Sequence, residues 1–259
     1  MTRRRVPASR EHDRVAPRET RDGAQTAMQR FSILEVRTGR IEPLGPKGTP
    51  SAIDKQPLAE AVVVGADGLV GDEHGDPRHH GGPDKAIHAY PASHYALWRA
   101  DLPGHADRFR PGGFGENLVV DVTEAGICLG DRFRVGGALL EVSQARQPCW
   151  RLNLRFGRVD MARLVQDTGR TGWYFRVLEP GAIGAGDVAV LDARPAPDWT
   201  LSRVTRLLYH DRTNRTDLAA FAALPSLPEG WRGLAERRLA SGQTEDWSAR
   251  IDTPGEASR

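Results

Sequence analysis

Cysteine is scarce: 259 residues contain only Cys128 and Cys149, too few for a disulfide framework or a Cys-ligated iron–sulfur cluster. No run approaches 18 uninterrupted apolar residues, which excludes a membrane-spanning helix. Nothing at the start resembles a signal peptide, so a reducing cytoplasm is the expected compartment. Three enzyme signatures are missing as well. There is no Gly-x-Ser-x-Gly elbow, no Gly-Lys-Ser or Gly-Lys-Thr phosphate loop and no Gly-x-Gly-x-x-Gly. A serine hydrolase or a nucleotide-dependent enzyme would need an unfamiliar site.

Charge of one sign is scarce too, except at the start. The formal net charge is +2, but residues 1–30 hold eight Arg against four Asp or Glu, while the remainder holds 28 basic and 30 acidic side chains. The body is near neutral and offers no broad basic face, so no nucleic-acid partner is expected of it. The Arg-rich start lacks hydrophobic periodicity and reads as a disordered tail over 1–30. A nucleic-acid-binding arm and a translation start at Met28 are its two alternatives.

From Phe31 onward short apolar runs alternate with Gly and Pro, the pattern of many short strands. The best candidates are 33–36, 61–64, 117–120, 132–135, 139–142 and 187–191. The segments Leu129-Gly-Asp-Arg-Phe-Arg-Val-Gly136 and Ala185-Gly-Asp-Val-Ala-Val-Leu-Asp192 each place a Gly-Asp turn before an alternating strand. Two such units favour a closed or nearly closed β-barrel. Helices are expected from Ser93, as N-cap, to Leu102, and over 161–168 with a stop at Gly169. Beyond Pro197 helical stripes take over: Val204, Leu207 and Leu208; Leu218, Phe221, Ala222 and Leu224; Trp231, Leu234, Ala235 and Leu239. The expected class is therefore mostly β, a barrel over 31–192 with short peripheral helices. A linker and a small three-helix domain would fill 193–259.

Four segments could carry chemistry. Cys149 follows a proline and lies between Arg146 and Arg151, cations that favour a thiolate able to attack or to bind a soft metal. The stretch 68–88 gathers His74, His79, His80, His88 and Lys85 among glycines that let backbone approach a ligand. A solvated loop is its plainer reading, and zinc lacks the supporting His-Glu-x-x-His or Cys-pair spacing. The Gly-rich run 109–118 delivers Glu116 and Asn117 to the head of a strand, where they could hold an anionic or heterocyclic ligand. In the run 168–177, Arg170 and Arg176 could reach an anion, against a plain helix stop followed by strand packing. Cys128, inside Gly126-Ile-Cys-Leu-Gly130, reads as a packed structural thiol.

Taken together, Gly68-Leu-Val-Gly-Asp-Glu73, His80-Gly-Gly-Pro-Asp-Lys85, Tyr90-Pro91, Gly115-Glu-Asn-Leu118, Gly130-Asp131, Pro148-Cys149, Thr168-Gly169 and Gly172-Trp173 resemble the MOSC domain. That domain is named for the C-terminal part of molybdenum cofactor sulfurases. The closer resemblance is to its YiiM-like branch, whose three-helix extension is similar to 201–210 and 237–247. The chain is too short for the pyridoxal-phosphate domain of the larger sulfurases, so desulfurase activity is not implied. What the resemblance implies is a molybdenum-dependent oxidoreductase that reduces N-hydroxylated compounds such as 6-N-hydroxylaminopurine. Cys149 would be the molybdenum ligand and His80 a second catalytic group. Lys85, Glu116, Asn117, Arg146, Arg151, Asn153, Arg170 and Arg176 would contact the molybdopterin. Electrons would come from an external donor protein, and a homodimer is compatible with the helical extension. A non-catalytic carrier of the cofactor or of persulfide sulfur is the alternative that uses the same thiol.

Overall fold

The computed structural model describes residues 30–76 and 80–255. All three readings of the N-terminal tail, and His79, fall on residues outside the described ones. Arg30, counted with the tail, instead opens the first strand.

The described residues begin with β1 (Arg30–Thr38), the hairpin β2 (Glu42–Leu44) and β3 (Thr49–Ser51), and the two-residue β4 (Gln56–Pro57). Then come β5 (Val62–Gly65), β6 (Gly68–Leu69) and β7 (Ile87–Pro91), which runs directly into α1 (Ala92–Asp101). The strands β8 (Leu118–Val120), β9 (Arg132–Val135) and β10 (Ala138–Ala145) lead to α2 (Arg151–Phe156) and α3 (Met161–Thr168). After β11 (Trp173–Glu179), β12 (Gly181–Ile183) and β13 (Val188–Ala193), four helices finish the chain: α4 (Leu201–Tyr209), α5 (Arg215–Ala222), α6 (Glu229–Ser241) and α7 (Ser248–Ile251).

Seven strands close into a barrel in the order β13-β9-β10-β11-β7-β8-β1, with β1 returning to β13 and β4 attached beside β1. Only β7 and β8 pair in parallel. Closure leaves no unpaired edge among the seven, which is how an antiparallel sheet of this size avoids templating another chain. The alternation anticipated from sequence shows in β9, where Phe133 and Val135 face in and Arg132 and Arg134 face out. In β1 a bulge between Ile33 and Glu35 shifts the register. It lets Phe31, Ile33 and Val36 all point inward although their spacing breaks period two. Along β10 every residue is buried, because α4 packs against it.

Two expectations change in detail, both at helices. The first helix starts at Ala92, one residue early, with Pro91 at the cap and no side-chain cap bond from Ser93. An additional helix, α2, follows Cys149 directly. The C-terminal helices do not bury a core of their own. Val204, Leu208, Phe221, Trp231 and Ala235 join Phe133, Leu140 and Phe175 in one apolar cluster. The connection is docked rather than loose: Arg194 pairs with buried Asp131 at 2.7 Å, and Cys128 bridges to Thr200. Hydroxyl and amide caps begin α4 and α5, where Thr200 and Asn214 accept from the amides of Arg203 and Asp217. A second cluster of Tyr90, Trp98, Phe109, Phe114 and Phe156 stacks beside the barrel, Tyr90 on Phe114 at 4.4 Å. This aromatic wedge supports the Gly-rich loop that borders the site.

Candidate active site

Strand β10 ends at a turn that carries the thiol. The Arg146 amide donates to the Gly172 carbonyl at 3.0 Å, and the Cys149 carbonyl accepts from Leu152 at 3.0 Å as α2 begins. Gly172 adopts φ +67°, and a side chain there would collide with the Ala89 carbonyl and the His88 ring. Glycine is therefore required where β11 passes β7 so closely.

Cys149 is 7% exposed and faces a cavity that opens to solvent. His80, Lys85, Asn117, Arg146 and Arg151 share its walls. These five residues come from three separate stretches of sequence. The His80 Nε2 lies 3.7 Å from the Cys149 Sγ and 3.3 Å from an Arg151 guanidinium nitrogen. Arginine can only donate, so Nε2 is the acceptor and the imidazole proton sits on Nδ1. Burial, with Arg151, Arg146 and Lys85 nearby, pushes His80 down to about 3. It is neutral at physiological pH. Arg151 also reaches the Asp76 carboxylate at 3.3 Å, which holds its guanidinium in the cavity wall.

Arg146 is the unusual member. It is 4% exposed, shares a hydrogen bond with Tyr174, and one guanidinium nitrogen has no hydrogen-bond partner. A buried unpaired cationic donor is costly, and an anion in the cavity would remove that cost. Lys85 also lines the cavity, where burial lowers its pKa while Cys149 and Asp84 raise it.

One residue of the cavity wall, Lys55, carried no sequence signal. Buried Lys55 pairs with buried Asp72; burial lowers the lysine, and Asp72 opposes that shift. His88, pushed down to about 3 by burial and by Arg146, lies beside Tyr174 with ring centres 5.0 Å apart. The Asp72 carboxylate also accepts from the Gly39 amide at 2.7 Å and the Asn117 side chain at 2.9 Å. Asn117 spends its second donor on the Arg37 carbonyl at 3.2 Å, and its oxygen accepts from the His88 amide at 3.0 Å. It lines the cavity, yet its side chain is spent on Arg37 of β1, on Asp72 and, through its oxygen, on His88 of β7 rather than facing a ligand.

Four residues expected at the cofactor stand elsewhere. Glu116 is fully buried, accepting from Tyr95, from the Gly112 amide and from the Phe114 amide at 3.0 Å. It holds its own loop closed, and burial raises its pKa. Asn153 accepts from the Ala162 amide at 2.8 Å and donates to the Ile251 carbonyl at 2.9 Å. Arg170 pairs with Asp101 at 2.6 Å and covers Trp98. Arg176 joins Asp84 and Glu141 at 2.6 and 2.7 Å. Each has its polar atoms committed within the fold. Of the histidines, His74 and His88 also border the cavity. Among the described residues no group of three His, Cys, Asp or Glu is placed to hold a metal ion.

A seven-stranded barrel with a thiol-bearing cationic cavity and a helical extension defines the class of protein. A family model for the MOSC domain matches residues 76–190, and one for the YiiM-like 3-alpha helix domain matches residues 199–242. Protein YiiM of Escherichia coli K12 is 36% identical over 219 residues, which cover 84% of this chain and 97% of that protein. A protein named only Reductase, from Gibberella moniliformis, is 39% identical over 213 residues, 81% of this chain but 37% of its own length. The crystal structure of Escherichia coli YiiM superposes with a TM-score of 0.73 at 31% identity, covering 86% of this chain and 99% of that one. The chain therefore belongs to the MOSC family, in its YiiM-like branch. That family is associated with molybdenum cofactor binding.

Proposed function

We propose that this protein is a molybdenum-cofactor-dependent reductase of N-hydroxylated compounds, with Cys149 as the protein ligand to the metal. One observation carries the reading. The cavity joins a single thiol to a buried Arg146 whose guanidinium nitrogen lacks any partner, so it asks for a ligand both soft-metal-bearing and anionic. A pterin dithiolene phosphate has those two properties. The fungal relative named Reductase supports the reaction class.

When bound, the cofactor supplies the two-electron chemistry that cleaves an N–O bond. The protein's own residues bind, orient and move protons. Arg146 and Lys85 receive the anionic end, Arg146 through its unpartnered nitrogen. Arg151, fixed by Asp76, keeps a positive charge in the wall of the cavity that holds the thiol. His80 is neutral, with its proton on Nδ1, so it relays protons rather than storing one. Lys55 and Asp72 neutralise each other and keep the floor rigid. Electrons come from a separate donor protein, since two cysteines leave no Cys-ligated cluster in this chain.

The test is made on protein from a host that synthesises the cofactor, with 6-N-hydroxylaminopurine and an artificial electron donor. Wild type is expected to contain molybdenum and reduce the base, and folded Cys149→Ser to do neither. Full molybdenum in Cys149→Ser would remove the thiol as an essential ligand. A stable persulfide on Cys149 with no reduction under any donor would instead assign a sulfur carrier.

A further inference from the structure

The matched family regions end at residue 242, yet the chain beyond them returns to the thiol. The segment 247–253 touches the Cys149 loop at three points. An Arg250 guanidinium nitrogen donates to the Pro148 carbonyl. The Trp150 amide donates to the Arg250 carbonyl at 2.8 Å. The Asn153 side chain donates to the Ile251 carbonyl at 2.9 Å. The first two matter most, because the Pro148 carbonyl and the Trp150 amide belong to the two peptide groups that flank the Cys149 α-carbon. Both are hydrogen-bonded to the same residue, the carbonyl accepting from the Arg250 side chain and the amide donating to the Arg250 carbonyl. With the two flanking peptide planes fixed, the Cα–Cβ bond from which the Cys149 thiol projects is fixed as well, leaving only the staggered rotamers about it.

Arg250 is itself anchored. Its other terminal nitrogen donates to Gln166 of α3 at 2.7 Å, and its guanidinium lies 5.1 Å from the Trp247 ring. Trp247 is held by Arg212 at 4.3 Å and by the edge of Tyr209 at 5.2 Å. Two of these contacts come from the helical extension: Tyr209 ends α4, and Arg212 follows it. A continuous path of contacts thus runs from the extension through Trp247 and Arg250 to the peptides around the thiol.

We propose that Arg250 is a positioning residue for Cys149, and that the C-terminal segment 247–253 is a clamp through which the helical extension sets the aim and accessibility of the thiol. The role for catalysis rests on the reading of Cys149 as the working ligand; the clamp itself does not.

The experiment uses full-length, cofactor-free protein carrying Cys128→Ser, so that Cys149 is the single thiol. The carbamidomethylation rate of Cys149 and hydrogen exchange over residues 146–153 are measured for Arg250, Arg250→Lys and Arg250→Met. Loss of a charge-assisted hydrogen bond at a partly buried site predicts about tenfold faster alkylation in Arg250→Met. Exchange over 146–153 rises while the barrel strands keep their protection, and Arg250→Lys falls between. Equal alkylation and equal exchange in folded Arg250→Met would overturn the clamp. Should Arg250→Met fail to fold, Trp247→Leu, which loosens the anchor without touching Pro148, is read the same way, and unchanged rates there overturn it too. In cofactor-loaded protein the clamp predicts a lower kcat with an unchanged KM in Arg250→Lys. If the apo measurements show the clamp but wild type neither holds molybdenum nor reduces the N-hydroxy base, the clamp stands and the reductase reading falls.

Discussion

The two cysteines of this protein are both buried, yet their surroundings have opposite sign. Cys128 donates to the Pro197 carbonyl at 3.4 Å, and its amide is held by the Asp131 carboxylate at 2.8 Å. Burial first, and then that carboxylate, push its thiol up to about 11. Cys149 has His80 in contact and shares its cavity with Lys85, Arg146 and Arg151. Burial alone therefore says little about what a thiol can do. The charge facing it and the presence of a cavity separate a packing residue from a reactive one.

The hardest break of this comparison is a pair of serine variants. Cys149→Ser is expected to abolish molybdenum retention and N-hydroxy reduction while Cys128→Ser preserves both, as read by metal analysis and turnover. Retention of activity by Cys149→Ser would erase the distinction.

Each thiol region also rests on a buried ion pair, Lys55 with Asp72 beneath the cavity and Arg194 with Asp131 beside Cys128. Removing one carboxylate leaves a cation uncompensated, so Asp72→Asn is expected to lose about 3–5 kcal/mol in urea unfolding. Asp131→Asn is expected to lose less, because Arg194 is 22% exposed and water recovers part of the cost. Only Asp72→Asn is expected to lower cofactor content as well.

Acid sharpens the contrast further. His88 is held down to about 3 by burial and Arg146, whereas an unfolded histidine titrates near 6.5. Between those values the unfolded chain binds a proton that the folded one refuses, so stability falls as pH drops from 6.5 toward 3. One such histidine contributes a slope of about 1.4 kcal/mol per pH unit. Melting curves across that window are expected to be shallower in His88→Gln, and an unchanged slope would show that His88 is protonated in the fold. The smallest effect belongs to Arg170, whose partner Asp101 is half exposed. Arg170→Ala is expected to cost below about 1 kcal/mol and to leave molybdenum content unaltered, while Arg146→Ala lowers that content.

The elements with regular alternation or a clear stop were legible in the sequence. Strand β9 has the expected bounds, and α3 ends at Gly169 in the left-handed conformation that the Thr168-Gly169 junction suggested. Strand β7 was not legible, because all five residues of Ile-His-Ala-Tyr-Pro are buried and no polar face marks the period. Helix α2 spans six residues, too short for a stripe. In the site, Cys149, His80, Lys85, Arg146 and Arg151 could be singled out by local chemistry and do meet around one cavity. Glu116, Asn153, Arg170 and Arg176 had the same polar character, but each found its partners inside the fold. Lys55 lay in an unremarkable run, and nothing local marks a lysine that a carboxylate seventeen residues later will neutralise.

By itself the sequence determined the barrel, the helical extension, the resemblance to MOSC proteins and the cysteine worth testing. Periodicity, turn chemistry and neighbouring charge are local, and they survive in a one-dimensional reading. Only the tertiary structure decided which charges are spent and which face the cavity. It alone showed Asn117 spending its side chain on Arg37, Asp72 and His88, Arg146 left with an unpartnered nitrogen, and Arg250 returning from the C-terminal end to hold the peptides around Cys149. Those outcomes depend on the pairing of groups from distant stretches of sequence, and that pairing is fixed only when the strands close and the helices dock.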